Sequence, residues 1–315
     1  MAKTLLPRFL MPDFTWPLRK PVPLVPEIPP TPKPTYSVVQ RFWGFVHWYL
    51  QTISMKYCDW FGIPYNNQIN QLPFGLILKW SDGTRLEEVL ATKAMYKAGF
   101  PVPRIITYGS HPDSPHAPMS ILMTRIPGQQ LGQVYKTMNS TDKETVRSEM
   151  KTYLDTMRKW KSPWGGNRIC SISGTAIRSV RVPNHRVGPC ENQQELFNYL
   201  ISPAWASRFK SKAKYQELLA KAKQISSIQA HKIVFTHGDL KHHNILVDKG
   251  HVTGFIDWES AGWYPDYWDF TTGMRVSRKG SWWHDFVITL GGDKYPGEFE
   301  ADRALNSLTV ESYAW

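Results

Sequence analysis

Apolar and polar positions alternate along the chain in a readable order. Phe74 to Trp80 is a short apolar run broken by a single cation, Lys79, and it predicts a strand. Ser81-Asp82-Gly83 follows as a turn. Thr84 with Glu87 three residues later predicts a capping box, and Leu86, Val89, Leu90 and Ala94 make one helical stripe behind it. Gly99 ends that helix, and Pro101-Val102-Pro103 forces extended chain. Ile105 to Tyr108 and the run 119–124 predict two further strands, the second broken by Pro127-Gly128. Beyond this the period lengthens. Thr141 and Glu144 predict a second capping box, and Val146, Met150, Tyr153, Leu154, Met157 and Trp160 mark one face over four turns. Residues 162–190 are rich in Gly, Pro, Ser and Arg and predict a long loop. Residues 193–229 predict helices with a break near Pro203.

Two N-terminal stretches depart from this pattern. Residues 17–35 are dense in proline and predict an extended arm, lying on the domain or spacing it, with an SH3-type ligand as the lesser alternative. Residues 36–61 are the most aromatic part of the chain. Their uncharged run from Phe42 to Met55 falls short of the ~20 apolar residues that a spanning helix needs. A helix packed on the body of the protein is the expectation, with an interfacial helix second. Pro7, Pro12 and Asp13 interrupt the opening stretch, which does not read as a secretory signal.

Composition adds limits. The chain has 315 residues, 42% of them hydrophobic, which excludes wholesale disorder and allows about two domains. Its formal charge of +12 suits a polyanionic or phosphorylated partner. The cations are spread out, however, and the denser part, 151–186, holds no Lys/Arg block and no zinc-finger or RNP signature. Specific nucleic-acid binding is therefore not expected. Cys58, Cys170 and Cys190 are too few and scattered for a disulfide scaffold or a CxxC site, so a reducing compartment is expected. His237, His242, His243 and His251 lack the spacing of a zinc site.

Candidate chemistry concentrates in residues 232–270. Three apolar runs, 233–235, 245–247 and 252–256, predict strands, and Asp248 to Gly250 is a hairpin turn between the last two. His237, Asp239, Lys241 and Asn244 share the loop between the first and second strands, and Asp257 directly follows the third. Phosphoryl transfer uses such groups. One carboxylate orients the attacking hydroxyl, hard oxygen donors hold Mg²⁺ on the phosphates, and a cation offsets developing charge. Asp239 suits the first role, Asn244 and Asp257 the second, and Lys241 the third.

The run HGDLKHHN, followed by hydrophobic-Asp-Trp, resembles the aminoglycoside phosphotransferase family of the protein-kinase-like superfold, and is similar to its large fungal branch. The resemblance covers about residues 70–275. It implies an α+β fold of two lobes, a small sheet-containing lobe and a larger helical one, with the nucleotide between them. The expected organisation is a Pro-rich arm (1–35), an N-terminal lobe (36–124), a hinge (125–128) and a C-terminal catalytic and acceptor lobe (129–315). Carried over residue by residue, it implies that Lys79 contacts the α/β-phosphates and pairs with Glu88, or alternatively Glu87. The backbone of Arg125 and Ile126 would bind adenine, with Met123 lining the pocket. Asp239 would be the catalytic base, with Lys241 at a phosphate-contacting position, and Asn244 and Asp257 would be Mg²⁺ ligands. His237 would brace the loop, and Asp269, in the next helix, would anchor it.

Two departures stand out. No Gly-rich loop precedes Lys79, since Gly75 lies too close to it, and Trp315 lies only 58 residues after Asp257, which predicts short acceptor helices. The expected function is ATP- and Mg²⁺-dependent transfer of the γ-phosphoryl group to a hydroxyl of a small molecule, by a cytoplasmic monomer. A nucleotide-binding pseudokinase, a protein kinase and a membrane- or partner-binding module are the alternatives. Trp258, Trp263, Trp268, Trp282 and Trp283 are expected mainly in the core.

Overall fold

The computed structural model describes residues 6–19, 22–182, 185–226, 230–275 and 277–309. These divide into two compact units. One takes in the described residues of Met1–Val25, Pro29–Asp142 and His243–Glu259. The other takes in those of Pro26–Ile28, Lys143–His242 and Ser260–Trp315.

The first unit is built on a four-stranded antiparallel sheet. A long helix, α1 (Ser37–Phe61), precedes it and stops where Gly62 turns left-handed at φ 66°, which lets the Ile63 N–H return 2.9 Å to the Cys58 carbonyl. Strands β1 (Ile69–Leu72) and β2 (Leu76–Lys79) form a hairpin, helix α2 (Leu86–Lys97) follows, and β3 (Ile105–Ser110) and β4 (Met119–Thr124) complete the sheet in the order β1-β2-β4-β3. The expected strand at 74–80 is shorter because Phe74 (φ 64°) and Gly75 (φ 58°) form the hairpin turn. The expected capping box at Thr84 is absent. The Thr84 hydroxyl turns back to accept the Ser81 N–H at 3.1 Å, and Arg85 holds the cap position without a side-chain bond. Val89, Leu90 and Ala94 of α2 are buried as its stripe requires.

Helix α1 lies against this sheet at a glycine contact. A Cβ on Gly44 would fall 2.3 Å from the Ser110 carbonyl oxygen, and one on Gly109 would fall 2.3 Å from the Gly44 nitrogen, so only two glycines permit this approach. His47 Nδ1 meets Ser120 Oγ at 2.7 Å and its Nε2 meets Thr107 Oγ1 at 2.9 Å. Parts of the N-terminal arm bond to the same unit. The Phe74 N–H donates 2.8 Å to the Phe9 carbonyl, and the Trp16 indole donates 2.9 Å to the Phe74 carbonyl. The Thr35 N–H donates 2.6 Å to Tyr108 Oη. A second, smaller sheet of this unit pairs the hairpin Ile245–Asp248 and His251–Phe255 with Gln129–Gln130.

The second unit is mainly helical. In Ser140–Met157 the buried residues Val146, Met150, Leu154 and Met157 form the expected face, followed by buried Trp160. The helix starts one residue before the proposed Thr141 cap, because Asn139 Oδ1 accepts the Asp142 N–H at 2.8 Å and caps it instead. The loop over 162–190 contains three two-residue strands, at Cys170–Ser171, Ile177–Arg178 and Arg186–Val187. Cys170–Ser171 and Ile233–Thr236 flank Gly262–Pro265, a strand that period-2 reasoning overlooked because it is buried on both faces. Helices Gln193–Ile201 and Lys212–Lys223 flank the Pro203 break; residues 227–229 of the expected helical stretch lie outside the described residues. Among the described residues no helix is long and apolar enough to cross a membrane.

Candidate active site

In the first unit, one cavity of about 340 Å³ gathers seven of the side chains and backbone positions singled out in the sequence: Lys79, Glu88, Met123, Arg125, Ile126, Asn244 and Asp257. Each arrives from a different local cause. Lys79 ends β2, where its register against Ile69 and Ile121 is fixed by strand pairing on both sides. Glu88 sits in the first turn of α2, where the helix dipole favours a carboxylate. Asn244 precedes the strand Ile245–Asp248, and its carbonyl accepts the Ile256 N–H at 3.0 Å, tying it to the strand end that carries Asp257. Asp257 holds a left-handed backbone, φ 66°, a conformation that a non-glycine residue keeps only when its surroundings enforce it.

Lys79 is the electrostatic centre. Its Nζ lies 2.9 Å from both carboxylate oxygens of Glu88, 2.7 Å from Asp257 Oδ1 and 3.7 Å from Glu259 Oε2. The Lys79 and Glu88 side chains are almost fully buried, while Asp257 remains about a third exposed. Burial by itself would push the Lys79 ammonium down. The charges of Glu88, Asp257 and Glu259 outweigh it and hold the ammonium above the ordinary lysine range. Of the two glutamates left open in the sequence, it is Glu88 that faces the lysine. Glu259 was not singled out; its position two residues after Asp257, in the run Asp-Trp-Glu, was the available signal.

One expected arrangement meets an obstacle. The Arg125 N–H donates 2.7 Å to the Gly75 carbonyl, and the Arg125 carbonyl accepts the Trp16 N–H at 3.0 Å. Its guanidinium reaches the Pro12 carbonyl and, at 3.2 Å, Gln71 Oε1. Arg125 therefore ties the N-terminal arm to the end of β4, and its N–H is not open to a base.

In the second unit the loop after Ile233–Thr236 carries the remaining candidates. Gly238 has φ 82°, and a Cβ there would fall 1.9 Å from the Ser260 carbonyl oxygen, so the position between His237 and Asp239 admits only glycine. Asp269, at the start of the helix Trp268–Arg275, accepts the His237 N–H at 3.1 Å and the Gly238 N–H at 2.9 Å. Complete burial raises the Asp269 carboxyl, while the His237 charge and the two backbone donors pull it back. The Trp268 indole donates 3.3 Å to the Gly238 carbonyl, and the Arg181 guanidinium lies 3.9 Å over the Trp268 ring. Arg181 is itself buried, 2.7 Å from Asp302. Lys241 Nζ sits 3.0 Å from Asp239 Oδ1. Trp258, Trp263, Trp268 and Trp283 are buried in the cores of their units, and Trp282 is part-exposed, its ring 5.6 Å from that of His242.

Comparison with known structures places this fold. The chain is similar to a thermostable mutant of aminoglycoside phosphotransferase APH(4)-Ia in its apo form, with TM-score 0.57 and 13% identity over 81% of this chain and 89% of that one. It is similar to aminoglycoside 2'-phosphotransferase-IIIa solved with GDP, with TM-score 0.54 and 12% identity over 83% and 88%. It is also similar to the streptomycin–ATP–APH(2")-IIa ternary complex, with TM-score 0.51 and 13% identity over 76% and 79%. The fold is thus α+β and protein-kinase-like, as the resemblance implied. No curated protein matches the sequence. The model of the phosphotransferase enzyme family matches residues 77–301, and the chain belongs to that family. By that membership it is a phosphotransferase.

Proposed function

We propose that the protein transfers the γ-phosphoryl group of ATP, with Mg²⁺, to a hydroxyl of a small molecule. The observation that carries this reading is the cavity of the first unit, where a buried ammonium, two hard oxygen donors and an apolar wall occur together. Lys79 binds the α/β-phosphates, and Glu88 aims it. Met123 lines the base pocket, and Ile126 supplies the main chain that reads adenine, because the Arg125 N–H is taken by the Gly75 carbonyl and its carbonyl by the Trp16 N–H.

The cavity suits a divalent cation. Glu88, Asp257 and Glu259 bring oxygens within 4.8 Å of one another around the Lys79 ammonium. Asn244 and Asp257 would hold Mg²⁺, which when bound neutralises phosphate oxygens. Asp239 accepts the proton of the acceptor hydroxyl, and Lys241, beside it, offsets phosphate charge. Asp269 and His237 position that loop. An acceptor of low molecular weight is favoured because Asp257 is followed within eleven residues by the helix beginning at Trp268, which leaves little chain for a protein-substrate platform. Fold does not fix the acceptor.

The test pairs binding with turnover. Mg·ATP should raise the melting temperature, and labelled ATP should yield a phosphorylated product from a fractionated small-molecule extract but not from generic protein substrates. Asp239→Asn should lower turnover by roughly 10²–10⁴-fold and leave nucleotide affinity unchanged. Nucleotide binding without product across the panel would refute the transferase reading, and full activity of Asp239→Asn would refute the base.

A further inference from the structure

The long helix α1 presents an apolar face to solvent as well as to the protein. Its buried positions are Gly44, His47, Ser54, Tyr57 and Cys58. Its solvent face carries Phe42, Phe45, Trp48, Tyr49, Ile53 and Trp60, each between 47% and 61% exposed. An amphipathic helix in water turns its apolar stripe to the protein. This one turns Gly44, His47 and Ser54 inward beside Tyr57, Cys58 and Leu50, the last packed on Leu72, Leu78 and Leu122, and leaves its aromatic stripe outside; the orientation is locked. The Gly44–Gly109 backbone contact, the two bonds of His47 and a 2.7 Å bond from Ser54 Oγ to the Gln71 carbonyl all fix the inner face. A rotation that buried the aromatic rings would break every one of them. The exposed stripe is therefore a stable feature of the fold, on a helix of 25 residues that is about 37 Å long.

We infer that this face docks on an anionic membrane surface, with α1 lying in the plane of the headgroups. Three observations select lipid over another protein. The stripe is rich in Phe, Trp and Tyr, the composition that partitions to the headgroup zone, where a helix–helix seam would repeat branched aliphatic side chains. Lys56 is exposed and falls five turns after Val38, on the line of Phe45 and Tyr49. In a protein seam its ammonium would be buried without a designed partner, whereas at a bilayer it reaches lipid phosphate along its own stem. Arg41 and Asp59 are exposed on one line at the edge of the same stripe, so with Lys56 the face carries one net positive charge, and the chain carries +12 overall, which complements phosphatidylserine or another acidic lipid. The helix rests on the surface and does not cross it.

The experiment uses the full chain and sucrose-loaded vesicles. Vesicles of phosphatidylcholine with phosphatidylserine should sediment the protein, phosphatidylcholine alone should do so weakly, and added salt should weaken the binding. Phe45→Asp with Trp48→Asp removes two rings from the exposed face and should reduce bound protein roughly tenfold or more at an unchanged melting temperature. In the wild-type chain, lipids brominated high on the acyl chain should quench tryptophan emission, a readout that needs no variant. Three results would overturn the inference: no sedimentation with phosphatidylserine vesicles at low salt, sedimentation that the double variant leaves intact, or a concentration-dependent dimer that the double variant abolishes, which would assign the face to a second copy. None of these outcomes depends on phosphoryl transfer.

Discussion

Replacing Lys79 by methionine tests the charge balance of the cavity. The substitution keeps side-chain volume and removes one ammonium from among three carboxylates. In the wild type that ammonium is 2.7 Å from Asp257, 2.9 Å from Glu88 and 3.7 Å from Glu259. At an effective dielectric near 20 each of these contacts is worth roughly 4–6 kcal/mol of gross attraction. Desolvation and repulsion among the carboxylates cancel much of it. Removing one partner of a buried pair costs about 3–5 kcal/mol, and that is the expected loss in urea unfolding at neutral pH without nucleotide. The pH dependence carries the sharper test. Lys79 is held above the ordinary lysine range, so in the wild type its contribution is complete below the unfolded lysine value and lost only as pH rises past it. In the variant the three carboxylates lose that ammonium and repel one another more strongly. The deficit should therefore shrink as pH falls into the carboxylate range, and Mg²⁺ should recover part of it at neutral pH. A loss below about 1 kcal/mol, the scale of a surface pair, would refute the cluster, and so would a deficit that does not change with pH.

Three further outcomes follow from the geometry. Gly238→Ala places a Cβ 1.9 Å from the Ser260 carbonyl at φ 82° and should cost about 3 kcal/mol or more, read from the urea midpoint. Asp257→Ala should abolish the Mg²⁺-dependent part of nucleotide affinity in calorimetric titrations run with and without the metal, and an unchanged metal dependence would remove Asp257 from the ligand set. Burial, with a smaller contribution from the His111 charge, pushes His47 down to about 4 from the ordinary histidine value of 6.5. Its neutral form supports stability above the unfolded value, and about 3 kcal/mol should be lost as pH falls from there toward 4. A His47→Gln variant should show a flatter acid limb in the same window.

The legibility of the chain followed the range of the interactions involved. The β2 lysine, the α2 stripe, the strand 119–124 and the hairpin at 245–255 rest on local periodicity and turn chemistry, and each occurs where the pattern put it. Capping was less readable. Thr84 and Thr141 both had the right neighbours, yet Ser81 and Asn139 changed which hydroxyl or amide met which N–H. The strand Gly262–Pro265 could not be seen from alternation, because both its faces are buried and its pairing partners lie 26 residues and more away.

The amino-acid sequence by itself determined the order of chemical groups: a lysine ending an apolar strand, a glutamate one turn into the next helix, and the spaced Asp239, Asn244 and Asp257. These are short-range features, written in spacing and residue type. Only tertiary structure decided that Glu88 faces Lys79, that Glu259 joins it, and that the N-terminal arm takes the Arg125 carbonyl while Gly75 takes its N–H. It also decided which face of α1 meets water. Helical periodicity shows that two faces exist, but a glycine contact and a buried histidine, both made with distant strands, select the one that turns inward.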